Sequence, residues 1–82
     1  MTNREKTEYA LDFYSDHFDK KGYCIDLHFF LKKRGFERVW TSIQNNWFNK
    51  GIFPSNKKLI NLIYEFTKQY KKKIAAAEIG VG

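Results

Sequence analysis

Arg38, Thr41, Ser42, Asn45 and Asn49 carry the side chains with the most specific chemistry in this sequence. Arginine presents a fork of donors that pairs with guanine, an amide can form two hydrogen bonds with adenine, and a hydroxyl serves several base edges. At about a hundred degrees per residue, with Ile43 as the centre of the buried side, these five fall on the outward side of one helix and Gln44 on its flank. Lys50 follows directly, and Lys32, Lys33, Arg34, Lys57 and Lys58 stand on either side as candidate phosphate contacts. Such a set suits a polar face that reads base edges between basic margins. It would also suit an ordinary solvated face.

Other arrangements offer less. His17 and His28 lie eleven residues apart without the Cys or Glu spacing of a zinc site. Asp12, Asp16 and Asp19 share a helical side beside His17, but helical carboxylates alone supply few converging oxygens for a cation. A phosphate-cradling glycine loop and a Ser/His/Asp ordering are both missing from the sequence. The expectation is a non-enzyme with neither metal nor cofactor.

The elements that must position the polar set are helical. Tyr9, Phe13 and Phe18, with Ala10, Leu11 and Tyr14, recur at helical steps and predict a first helix over about residues 5–19, ending before Gly22. Ile25, Phe29, Phe30 and Leu31 predict a second over about 25–34, with Lys32, Lys33 and Arg34 in its last turn, where cations favour the helix dipole. A third, over about 37–49, places Val39, Trp40, Ile43 and Trp47 on one stripe behind Phe36. Gly51 is a candidate left-handed cap, Pro54 forces the preceding residue extended, and Ser55 or Asn56 can cap the last helix. That helix, about 56–74, carries the stripe Leu59, Ile63, Phe66, Tyr70 and Ile74, and a flexible tail is expected over residues 75–82. The fold class expected is all-α, a compact single-domain bundle of four or five helices containing a helix-turn-helix over about 25–49.

Composition agrees with a folded helical domain and narrows its partners. A chain of 82 residues buries only about 60% of its unfolded surface, and an aromatic content of 18% supplies large buried areas. Residues 1–26 hold four basic and six acidic side chains, net −2, and residues 27–82 hold eleven basic and three acidic, net +8. A positive field over the last two-thirds points to a polyanion, nucleic acid or acidic protein. Cys24 is the single cysteine, which excludes an intramolecular disulfide framework, fits a reducing compartment and suits a small core residue. The polar first ten residues and the lack of an apolar run near ~20 residues lead to the expectation of a cytoplasmic protein that neither enters nor crosses a membrane.

From Leu27 to Glu65 the sequence resembles the lambda-repressor-like helix-turn-helix group, which includes the Cro and phage repressor domains. The residues that carry the likeness are Leu31-Lys32-Lys33-Arg34-Gly35-Phe36, Asn46-Trp47, Asn49-Lys50-Gly51-Ile52-Phe53-Pro54 and Leu59-Ile60-Asn61-Leu62-Ile63. The interval from Gly35 to Trp47 is longer than that group usually has, so the turn or the recognition helix should be extended. The resemblance implies a DNA-binding transcription regulator of phage or mobile-element type, with double-stranded DNA as partner.

Two classes of function are therefore expected. The first is a small DNA-binding protein that captures phosphates with its lysines and reads bases with the helix from Arg38 to Asn49. The alternative is a protein-binding module or small inhibitor, with Tyr14, Tyr23, Trp40, Phe48, Phe53, Tyr64 and Tyr70 as its aromatic surface. A homodimer through the last helix is expected as well, because its apolar positions exceed one stripe.

Overall fold

The computed structural model describes the backbone of residues 1–81 and the side chains of residues 1–76. It is all-α: α1 (Asn3–Asp16), α2 (Lys20–Lys32), a short α3 (Trp40–Ser42) that passes without a break into a π-helical segment (Ile43–Asn49), and α4 (Lys57–Val81), with no strand among the described residues. The expected last helix thus continues past 74 to Val81. The side chains of most of the tail expected over 75–82 lie outside the described residues.

Local chemistry explains the helix starts. Thr2 and Glu5 form a capping box: Thr2 Oγ1 accepts from the Glu5 amide at 3.2 Å, and Glu5 Oε1 accepts from the Thr2 amide at 3.0 Å. These hydrogen bonds favour the charged carboxylate and lower the Glu5 pKa. α1 therefore begins before residue 5, and it stops at Asp16, because His17 is already extended. Gly22 does not follow the end of a helix as expected; it sits in the first turn of α2. Asp19 caps that turn by accepting from the Gly22 amide at 3.0 Å, so closely that a Cβ on Gly22 would lie 2.2 Å from Asp19 Oδ2.

The helix ends follow from glycine. Gly35 at φ +89° lets the Phe36 amide reach back to Leu31 O at 3.0 Å, and Gly51 at φ +71° does the same for Ile52 and Asn46 O at 3.0 Å. Phe36 packs against the core, but residues 36–39 form no helix, so it does not anchor the start of the third helix as expected; Val39 is extended and α3 starts only at Trp40. Val39, placed on the buried stripe by its spacing, is 62% exposed. Of the two cap candidates for α4, Asn56 holds the position, its Oδ1 accepting from the Leu59 amide at 3.2 Å.

The core is organised around Tyr23, which is fully buried. Its ring meets Phe13, Phe48, Phe66 and Tyr70 at centroid distances between 5.1 and 5.6 Å, in tilted and edge-on arrangements that suit aromatic quadrupoles. Thr67 spends its single hydroxyl proton on Ile63 O at 2.8 Å, so the Tyr23 hydroxyl donates to Thr67 Oγ1 at 2.5 Å. Burial raises the Tyr23 phenol and pushes the adjacent Cys24 thiol up to about 12. Leu27, Leu31, Leu59 and Ile63 complete the interior.

This arrangement removes three residues from the aromatic surface of the protein-binding alternative. Tyr14, Tyr23 and Phe48 are buried, and Trp40, Phe53, Tyr64 and Tyr70 are half-buried. The apolar positions of α4 at 59, 60, 62, 63, 64, 66, 70 and 74 are likewise buried or half-buried within one chain. Their excess over one stripe is absorbed by α1 and α2, as in the edge-on contact of Tyr9 with Tyr64 at 5.2 Å. No helix is long and apolar enough to cross a membrane among the described residues.

Candidate nucleic-acid interface

The polar set lies on or beside the helix from Trp40 to Asn49, and the π-helical winding of its larger part decides where each side chain points. Bonding from i to i+5 lowers the rotation to roughly 80° per residue, which sets Trp47 and Phe48 on either side of Ile43. All three are buried. The same winding brings Gln44, Phe48 and Asn49 to one side, facing Tyr14 of α1. The Tyr14 ring stacks on Phe48 at 4.8 Å, its hydroxyl donates to Asn49 Oδ1 at 2.7 Å, and Gln44 Nε2 donates to that hydroxyl at 3.3 Å.

Two members of the expected base-reading set are therefore committed to holding the helix. Gln44 is half-buried, and Asn49, although exposed, spends its amide oxygen on Tyr14. A hundred-degree wheel could not foresee this, because it rotates Asn49 to the opposite side from Gln44.

Thr41 and Asn45 are exposed, and so is Asn46, which the spacing had not singled out. Asn46 Nδ2 donates to Ser42 Oγ at 3.1 Å, so Ser42, half-buried, acts as its support. Arg38 does not lie on the helix as expected. It precedes α3 in the connecting segment, where its Nη1 donates to Glu37 O at 2.8 Å and its own carbonyl accepts from His28 Nδ1. Lys50 is exposed directly after Asn49.

Among the basic residues, Lys32 and Arg38 come together in one cleft of about 320 Å³, with His28, Glu37 and Val39 in its wall. Arg34 is folded back on its own helix, with the guanidinium 3.7 Å from the Phe30 ring centroid and Nη1 donating to Phe30 O at 3.1 Å. Lys33 is exposed at the end of α2. Lys57 and Lys58 are exposed in the first turn of α4, beyond the connection that Gly51 opens. Behind the helix, Lys21 Nζ stands 5.3 Å from the Trp40 ring. The connection from α2 to α3, residues 33–39, is longer than the three to four residues usual in a helix-turn-helix.

Among the described residues no group of three or more His, Cys, Asp or Glu could hold a metal ion. No family model, curated protein or solved structure matches this chain.

Proposed function

We propose that this chain is a small sequence-specific protein that binds double-stranded DNA, a transcription regulator of phage or mobile-element type. The observation that carries the reading is the sidedness of the helix from Trp40 to Asn49. Ile43, Trp47 and Phe48 fix its inner side, while Thr41, Asn45 and Asn46 stand exposed between Arg38 and Lys50. Amides and hydroxyls on a helix anchored from behind are the groups that read the major groove. α2 and this helix would form the pair, joined by a longer turn than the resemblance to phage repressors implies.

A second feature supports the reading. Lys57 and Lys58 occupy the first turn of α4, where the helix dipole favours anions and no acidic residue stands. Cations there oppose the dipole, a local conflict of the kind that marks functional positions. A phosphate would resolve it, since backbone amides, dipole and lysines then act together.

The test is fluorescence anisotropy with a random duplex across a salt series. Each neutralised phosphate contributes about −0.9 to the log-log slope, so several contacts give a steep decline. Absence of binding at about 50 mM salt defeats the proposal.

A protein-binding role has one observation in its favour. Phe18 is 89% exposed, and Phe29, Val39 and Ile52 are more than half exposed. Phe18→Ser separates the two readings, because it leaves DNA affinity unchanged and removes any contact centred on that ring. Self-association through α4 is not needed to cover its apolar side, which one chain already buries.

A further inference from the structure

The cleft of about 320 Å³ beside the end of α2 gathers three groups suited to an anion: His28, Lys32 and Arg38. His28 and Lys32 lie four residues apart on α2 and so share one face. Arg38 reaches the same place from the connecting segment, after the turn at Gly35, and its carbonyl accepts from His28 Nδ1. Glu37 is the one carboxylate in this lining, and neither Lys32 nor Arg38 forms an ion pair among the described residues. The lining therefore carries one net positive charge.

The bond to Arg38 also fixes the state of the imidazole. A carbonyl oxygen only accepts, so Nδ1 carries a proton, and in the neutral ring Nε2 does not. Nε2 has no hydrogen-bond partner among the described residues and is not closed to solvent. It lies one ring carbon from Nδ1 and so stays beside Arg38. A proton taken up there gives the ring a positive charge and a second donor. The charged groups around it are Lys32 on its own helix and Glu37 and Arg38 on the connecting segment; the helix from Trp40 to Asn49 carries none. A phosphodiester in the cleft favours that proton, because an opposite charge nearby stabilises the charged ring.

We infer that this cleft clamps one phosphate of the DNA backbone between Lys32 and Arg38, with protonated His28 as a third donor, so that DNA binding tightens as pH falls. The inference rests on the DNA-binding reading and alters one part of it: Arg38 holds a phosphate and reads no base. Arginine suits that place, since its fork meets two phosphate oxygens at once.

Anisotropy with a random duplex at constant ionic strength tests this across the range in which an imidazole titrates, about pH 5 to 8. Affinity should rise roughly tenfold towards the acidic end, the scale of one charge-assisted hydrogen bond. His28→Asn keeps a side-chain nitrogen that can donate to the Arg38 carbonyl but takes up no proton, and its affinity should stay flat. Arg38→Gln should weaken random and preferred duplexes alike and lower the salt slope by about 1. Equal pH dependence with and without His28, or a loss in Arg38→Gln that varies with sequence, overturns the inference while duplex binding persists. Where no duplex binds at any pH, the DNA-binding reading itself fails, and nitrogen-edited NMR with inorganic phosphate decides the cleft. Saturable shifts at His28, Lys32 and Arg38 uphold the phosphate clamp apart from DNA; shifts that sodium chloride reproduces at equal ionic strength remove it. Hexaglutamate moving the same residues more strongly than phosphate would give the cleft to an acidic protein and overturn the inference.

Discussion

The Tyr14 hydroxyl joins α1 to the far end of the π-helical segment by donating to Asn49 Oδ1 at 2.7 Å, and the phenol oxygen itself accepts from Gln44 Nε2. One phenol thereby holds two residues that lie five positions apart, the spacing that π winding brings into line.

Tyr14→Phe keeps the stack on Phe48 and removes only the hydroxyl. Urea unfolding should show a loss of about 0.5–1.5 kcal/mol, the net value of such a hydrogen bond. The side-chain amide resonances of Gln44 and Asn49 should move together. Unchanged stability with both amides at rest would mean that the phenol does not hold the helix.

Asn45 and Trp47 test the sidedness of the helix. Asn45→Ala, at an exposed position, should alter stability by less than about 0.5 kcal/mol, yet weaken specific duplex binding by roughly 1–3 kcal/mol. Trp47→Ala leaves a cavity and should cost roughly 3–5 kcal/mol of stability. Silent Trp47→Ala beside unfolded Asn45→Ala would reverse the faces and end the DNA-binding proposal.

Gly22 and Asp19 give a prediction with opposing terms. Gly22→Ala gains about 1 kcal/mol of helix propensity but displaces the capping carboxylate, which costs about the same. The single variant should therefore be close to neutral. With Asp19→Ala already in place no carboxylate remains to displace, and Gly22→Ala should then stabilise by about 1 kcal/mol. Equal effects in the two backgrounds, read by thermal unfolding, would show that Asp19 does not cap α2.

Alkaline pH should unfold the domain progressively. Burial pushes the Cys24 thiol up to about 12; burial first and then the nearby Asp26 carboxylate push the Tyr70 phenol up to about 12. In the unfolded chain these groups ionise near ~8.5 and ~10. Above those values the unfolded state has released protons that the folded state retains, so stability is fully present below about pH 8.5 and falls as pH rises towards 12. Cys24→Ala should remove the decline that starts near the lower value and leave the tyrosine part. A flat melting temperature from pH 8 to 11 would contradict this.

The outer frame of the molecule was legible because it rests on short-range rules. The recurrence of Leu59, Ile63 and Phe66 marks the buried side of α4, and Gly51, Pro54 and Asn56 mark its entry. The junction of α1 and α2 is less legible, since periodicity runs on through Phe18 while the chain breaks at His17. A glycine pressed against its own capping carboxylate resembles a helix stop in sequence. Tyr23 is a surface candidate only under the protein-binding alternative, because a phenol suits either environment; its fit to Thr67 makes it the centre of the core. The π winding left no trace in hydrophobic spacing, and it redirected Gln44 and Asn49 from the candidate site to the scaffold.

Under the DNA-binding proposal, that redirection limits how long a sequence the helix could read. With Gln44 and Asn49 turned towards α1, the outward amides are Asn45 and Asn46, neighbours with the reach of about two base pairs and the hydrogen-bond pattern of adenine. At roughly 1–3 kcal/mol for each good pair, these two amides would distinguish a short A·T-leaning word. Under the DNA-binding proposal, a longer operator would owe its remaining discrimination to the bending and groove width of the duplex between the Arg38 and Lys57 margins.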